Sequence, residues 1–508
     1  MWSMQLQALV ATSQAVAATR SRLAKRAALA ELLRQAEPAD VEILVAYLAG
    51  ELRQRKTGIG WSSLRALPPP AGEPALGVAD VDARLQAISE LSGPGSAGAR
   101  AAAVAALFGA ATAAEQDFLR RLIGGEIRQG ALDSSMLDAL AEASGVPLAL
   151  IRRAVMLRGA TGVVAVAALT GGEAAVAEFD LAVGTPVRPM LASSAPDVAA
   201  AMDKIGAGVA VGIDVKLDGI RVQAHKRGDD VRLFTRSLDD VTARLGEVVA
   251  QVRALPVAQA ILDGEVLAVD AAGRPRPFQE TAARAATHTE AATTVSAFFF
   301  DALVIEDDVL IDAALSQRLL RLDQVVPTSQ RIARLVTADV EPAVRFFDDA
   351  LAAGQEGVVV KALDAPYAAG RRGAGWIKVK PRHTLDLVVL AVEWGSGRRR
   401  GTLSNIHLGA RDPSNDGWVM LGKTFKGMTD EMLAWQTERF LALETSRSEH
   451  VVHVRPEQVV EIAFDGLQRS TRYPGGVALR FARVLRYRDD KRPDEADTID
   501  AVRALSAG

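Results

Sequence analysis

The 508-residue chain contains no cysteine. That absence excludes disulfides, a thiol nucleophile and any zinc site built on thiolates. There is no run of eighteen apolar residues, so no segment reads as a membrane span. No basic cluster precedes the first apolar residues, and no secretory signal is expected. A dominant sign of charge is missing too. The 59 Lys and Arg against 62 Asp and Glu leave a net charge of −3, which does not itself point to a polyanionic partner. The rest of the composition, 49% hydrophobic and 24% charged, is that of a globular protein. Its length suggests about three domains, long enough to bury substantial cores.

What the chain has is local. Residues 371–400 hold eight Arg or Lys (371, 372, 378, 380, 382, 398, 399 and 400) against Asp386 and Glu393, about +6 in thirty residues. This is either a solvated basic loop or a phosphate-contacting patch. Residues 1 to about 180 are rich in alanine and leucine, with apolar positions recurring at three and four, and read as helix. Two segments within them match at an offset of 75 positions: Leu48-Ala49-Gly50-Glu51-Leu52-Arg53-Gln54 and Ile123-Gly124-Gly125-Glu126-Ile127-Arg128-Gln129. Each reads as a helix end leading to an Arg-Gln turn and then a glycine. Such turns either face phosphates or merely complement helix C-termini.

Gly184-Thr185-Pro186-Val187-Arg188-Pro189-Met190 punctuates the chain. Beyond it, strands are expected at 209–216, 220–225, 231–235, 260–268, 295–305 and 357–361. Helices are expected near 239–253, 312–325 and 340–353. After Pro381-Arg382-His383 a second series follows (385–394, 405–410, 417–422, 458–464, 483–487), which suits a small barrel.

Six short motifs lie on this frame. Lys216-Leu217-Asp218-Gly219, with Arg221 two residues on, ends an alternating run of Val209, Val211, Ile213 and Val215. A lysine between Val215 and Leu217 can be partly desolvated, which is how a weak amine becomes a nucleophile. Thr235-Arg236-Ser237, Leu262-Asp263-Gly264-Glu265, Phe298-Phe299-Phe300-Asp301, Glu356-Gly357-Val358-Val359-Val360-Lys361 with Trp376-Ile377-Lys378-Val379-Lys380, and Arg488-Asp489-Asp490-Lys491 follow in order. Each match is weak alone. Glu265 and Glu356 stand at strand ends beside glycine, as metal-binding acids or as turn and surface-pair residues. Phe300 is either a base-stacking ring or a core aromatic, and Phe298 and Phe299 leave its register open.

In this order and spacing the motifs resemble those of the ATP-dependent DNA ligases, within the covalent nucleotidyltransferase superfamily. The resemblance implies a multidomain fold. An all-α DNA-binding domain would span 1–183, an α/β (α+β) adenylation domain 184–383 and an all-β OB-fold barrel 384–508. It implies that Lys216 is the catalytic nucleophile, taking AMP from ATP with Mg²⁺ held by Glu265 and Glu356. The adenylate would pass to the 5′-phosphate of nicked duplex DNA, and the 3′-hydroxyl would then displace AMP. Asp214, Arg221, Arg236, Glu265, Phe300, Arg372, Lys378, Lys380, Arg488 and Lys491 would bind the nucleotide. Arg221 and Arg236 would take ribose or phosphate, Lys378 the α-phosphate, Phe300 the adenine, and Arg488 and Lys491 the departing pyrophosphate. Arg53, Arg128, Arg398, Arg399 and Arg400 would face DNA. The expected molecule is a monomer in the bacterial cytoplasm, at the nucleoid.

The chain departs from the family pattern at several places. Asp214 stands where Glu is usual, Leu217 where an aromatic is frequent, and Ser237 where Asn is frequent. Glu306-Asp307-Asp308 replaces a glycine turn. None of these removes a charged catalytic group. RNA ligases and mRNA capping enzymes share the lysine motif, but the duplicated helical segment argues against both, and the lack of cysteine argues against NAD-dependent ligases. A DNA-end-binding protein with a degenerate site is the rival from another class.

Overall fold

A computed structural model describes residues 3–54, 57–127, 132–270, 276, 280–281, 284, 294–368, 372–381, 383–415 and 417–505. They form two compact units, one made of 1–191, 219–331 and 364–372, the other of 192–218, 332–363 and 373–508. Among the described residues, no helix is long and apolar enough to cross a membrane.

The first unit begins with helices, as the three-four spacing indicates. Their apolar faces, including Leu9, Leu33, Leu44, Leu85, Phe108, Leu119 and Leu140, close on one core. The two halves of the sequence repeat end alike. After helix Pro38–Leu48, Glu51 N–H donates to Ala46 O (2.9 Å). After helix Ala113–Ile123, Glu126 N–H donates to Arg121 O (2.7 Å). The same six-to-one bond thus closes both turns.

The helices continue into a five-stranded antiparallel sheet of order β4-β3-β5-β6-β7. Its strands are β3 (Ile220–Arg227), β4 (Asp230–Thr235), β5 (Gln259–Val269), β6 (Thr294–Ile305) and β7 (Asp308–Val309). The segment from Gly184 is pinned to β3. Gly184 N–H donates to His225 Nδ1 (2.9 Å), and Val187 N–H to Gln223 Oε1 (2.8 Å). Since Nδ1 accepts, the other ring nitrogen carries the proton and donates to Gln223 Oε1 (2.8 Å).

Burial first, then the charge of Arg232, pushes the His225 pKa from its ordinary 6.5 down to about 3. The unfolded chain therefore takes up a proton below about pH 6.5 that the folded chain refuses until about pH 3. This contribution to stability is complete above pH 6.5 and is lost as pH falls through that window, by about 1.4 kcal/mol per pH unit. Urea unfolding of this unit followed between pH 7 and 4 should show that slope, and His225→Gln should flatten it.

The second unit holds the sheet β1-β10-β9-β2-β8. Its strands are β1 (Leu191–Ser194), β2 (Val211–Lys216), β8 (Arg334–Thr337), β9 (Gly357–Ala362) and β10 (Arg372–Val379). Val211, Ile213, Val358, Val360, Ile377 and Val379 face helices Val198–Ile205 and Val340–Ala352.

Its C-terminal region is β-rich, organised on the long strand β11 (His383–Trp394). Residues 383–388 of β11 pair with β16 (Val459–Phe464), and 391–393 pair with β15 (Val451–Val454). Along its other edge runs β12 (Leu403–Asp412). A helix, Asp430–Ala442, interrupts the strands where the sequence reading has none. Thr429 caps it by accepting from Met432 N–H, Asp430 and Glu431 occupy its first turn, and Leu433 and Phe440 anchor it in the core.

Candidate active site

Period-two alternation makes the site in the second unit. With Val211, Ile213 and Val215 turned one way, Asp214 and Lys216 lie on the other face. The register pairs Lys216 with Gly357, Asp214 with Val359 and Gly212 with Lys361, then Lys361 with Trp376 and Val359 with Lys378. One face of three adjacent strands therefore carries Lys216, Lys361, Lys378 and Trp376, with Lys380 following at the end of β10.

Glu356 sits at the start of β9 between two ammonium groups. Lys216 Nζ donates to one of its oxygens and Lys380 Nζ to the other. About a quarter of the Lys216 side chain (24%) is exposed, and 16% of Glu356. Lys380 also approaches Asp465 of the C-terminal region (3.3 Å). Burial, and after it the charge of Lys216, holds the Lys380 ammonium below the usual lysine range. Gly357 is what lets this end of the sheet close. Its φ is +137°, and a Cβ there would lie 2.2 Å from Val379 O.

Two residues upstream, the Asp214 carboxylate is buried and fully engaged. Arg334 donates to both oxygens, one at 3.0 Å, and Lys361 Nζ lies at 2.5 Å. Burial alone would raise its pKa, but the charges of Lys361 and Arg334 win and hold it below the ordinary carboxylate range. Lys361 also lies over the Trp376 ring (4.2 Å). The roles of Arg334 and Lys361 are not legible in the sequence. Lys361 is visible there as the last residue of its motif, whereas Arg334 has no local signal. It meets Asp214 only because β8 pairs with β2.

The chain passes from the second unit to the first at Asp218–Gly219. Gly219 tolerates no side chain, since a Cβ would meet Val266 O at 2.5 Å and Glu265 Cγ at 2.8 Å. On β3, Arg221 is held by Asp263 through two parallel bonds (3.0 and 2.6 Å), so Asp263 shapes a guanidinium as well as a turn. Glu265 lies opposite Arg221 in the register. A β-bulge sets the register of the three phenylalanines. Asp263 pairs with Asp301 and Gly264 with Phe299, which leaves Phe300 as the extra residue of β6. Phe299 and Phe300 are both buried, and the ring of Phe300 lies 5.6 Å from the Arg221 guanidinium. Arg236 is exposed in the turn after β4, where Thr235, Ser237 and Asp239 bond one another.

In the C-terminal region, Arg480 reaches back to Asp218 (2.6 Å). Arg488 and Lys491 instead meet Asp386 on β11 (3.1 and 2.6 Å), and Arg488 also holds Asp490. Arg399 donates to Phe425 O (2.5 Å), and Arg400 is exposed. In the helical region Arg53 meets Asp82 (2.9 Å), which also accepts from Tyr47 and Gln54. Arg128 and the side chains of Arg372 and Arg398 lie outside the described residues.

A strand-end lysine held by the carboxylate of a neighbouring strand, followed by an Asp-Gly turn and backed by further lysines on the same face, defines a nucleotidyltransferase-type domain. The family model for the ATP dependent DNA ligase domain matches residues 189–380, that for the DNA ligase N terminus matches 64–141, and that for the ATP dependent DNA ligase C terminal region matches 399–491. A probable DNA ligase of Beutenbergia cavernae is 67% identical over 512 residues, covering 99% of this chain and 100% of that protein. Another from Nocardioides sp. is 61% identical and covers 98% of each. Among solved structures, Pmar-Lig_Pre shares the fold with a TM-score of 0.64 at 18% identity, over 95% of this chain and 99% of that one. The chain belongs to the ATP-dependent DNA ligase family.

Proposed function

We propose that this chain seals nicks in duplex DNA in three displacements at phosphorus, with Lys216 as the covalent carrier of AMP. The single observation that carries this reading is the pairing of Lys216 and Lys380 on Glu356 at the end of a lysine-rich sheet face. In the first displacement Lys216 Nζ, having shed its proton, bonds to the α-phosphorus of ATP while the bond to the bridging oxygen breaks and pyrophosphate leaves. In the second, a nick 5′-phosphate oxygen replaces the lysine. In the third, the 3′-hydroxyl replaces AMP. Little covalent chemistry falls to the other side chains, so positioning and charge do most of the work. Lys378 and Lys380 face the phosphates, Arg221 and Arg236 the ribose or phosphate, Arg372 the nucleotide, and Phe300 the base.

Glu356 and Glu265 are the carboxylates that would hold Mg²⁺. The donor set fits that ion, because both are hard oxygen ligands. Mg²⁺ is usually bound through one or two carboxylates together with waters and substrate phosphates, and a full cage of protein ligands is not required. When bound, it would neutralise charge on the triphosphate.

The division into 1–183, 184–383 and 384–508 remains our functional reading, with the first and last parts gripping DNA. Arg53 and Arg128 would serve the first, and Arg398 to Arg400 the last. A strand such as β11, shared among three partners, supports the OB-type barrel. All the motifs lie on one chain, which supports action as a monomer. Its DNA substrate would place it at the bacterial nucleoid.

Incubation with α-labelled ATP and Mg²⁺ should leave label on the protein, chased onto DNA when a nicked duplex is added. A DNA-binding protein with a degenerate site would take up none.

A further inference from the structure

Tyr367 has no part in the roles set out above. It is 2% exposed, and its hydroxyl accepts from Met190 N–H (3.0 Å) while donating to Asp263 Oδ2 (2.7 Å). Asp263 holds Arg221 by two bonds, and a third Arg221 nitrogen position donates to Met190 O (2.6 Å). Arg221 also reaches the phenol oxygen (3.3 Å). Tyr367, Asp263, Arg221 and Met190 thus close a ring of hydrogen bonds. Burying a phenol, a carboxylate and a guanidinium together is costly unless each is satisfied. Here the arrangement fixes one guanidinium beside Phe300. Burial, and next the charge of Asp263, raises the Tyr367 pKa well above its usual value, so the phenol keeps its proton.

The backbone beside Tyr367 is anchored as well. Arg318, fully buried and paired with Asp301 (2.7 Å), donates to Ala365 O (3.0 Å). The residue before Asp301 is Phe300. The tyrosine therefore joins the mounts of two nucleotide-binding candidates, and Arg372 follows it by five residues.

We propose that Tyr367 is a positioning residue for nucleotide binding, fixing the Asp263 carboxylate and through it the Arg221 guanidinium. This rests on the reading of Arg221 as a nucleotide contact. A contact made equally in the bound and transition states changes KM and leaves kcat alone.

The test is the rate of lysyl-AMP formation across ATP concentrations for Tyr367→Phe, Arg221→Ala and the double variant, with unfolding midpoints alongside. Tyr367→Phe should raise KM for ATP about tenfold and keep kcat within about twofold. The double variant should be no worse than Arg221→Ala alone, because both act through one group. An unchanged KM in Arg221→Ala would overturn the nucleotide-contact reading itself. A raised KM there, with Tyr367→Phe unchanged or with the two effects multiplying, would overturn the positioning role alone. A purely structural tyrosine would lower the midpoint and leave KM in place.

Discussion

Lys216→Ala should leave no protein-bound AMP and no sealing from ATP, while the protein stays folded and still seals a nick that is already adenylated. The first loss is absolute because the phosphoramidate has no other carrier. Lys380 shares the same carboxylate but stands at the end of β10 and is also drawn to Asp465, and in the proposed reading it screens phosphate while Lys216 attacks. Folding is spared because the side chain is partly exposed and its removal leaves Glu356 paired with Lys380. The last displacement needs no lysine nucleophile, since AMP is already on the DNA. Labelled adduct in the variant would move the nucleophile elsewhere.

Replacing Arg488 and Lys491 together by alanine should slow lysyl-AMP formation by about two to four orders of magnitude, as expected when a departing pyrophosphate is deprived of two charge-assisted hydrogen bonds. Sealing of a pre-adenylated nick should change far less. In the structure both cations meet Asp386, and it is Arg480 and Asp465 that reach Asp218 and Lys380. For Arg488 and Lys491 to meet a triphosphate, the C-terminal region would have to turn, and we place the hinge near Pro381 to Thr384. Once pyrophosphate has gone their task ends, which is why the two assays should diverge. Single-turnover measurements with ATP and with an adenylated nick decide it. Equal slowing of both would mean that the pair supports folding or DNA binding, a realistic competitor because Asp386 would lose both partners.

The parts of this site that sequence discloses are those written in consecutive residues. Alternation around Ile213 places Lys216 on a strand end, and Gly357 to Lys361 lie on a strand read at nearly the right bounds, whereas the sequence reading has no strand at β10, which carries Lys378. What it withholds depends on pairing. Which of the three phenylalanines is the bulged residue cannot be read from sequence, because the bulge is set by pairing with β5. Asp214 reads as a nucleotide contact, but its partner Arg334, brought beside it from 120 positions away, has no signal in the sequence. Tyr367 lies in no motif, although it is one of only four tyrosines. The helix at Asp430–Ala442 does carry a start signal in Thr429-Asp430-Glu431, hidden by the short strands on either side.

The most direct measurement is sealing of a singly nicked duplex by the wild-type chain with ATP, GTP or NAD supplied separately. Sealing with ATP, accompanied by transient AMP on Lys216, is the expected result. Sealing with NAD and not ATP, or sealing with ATP while Lys216 never carries AMP, would contradict it.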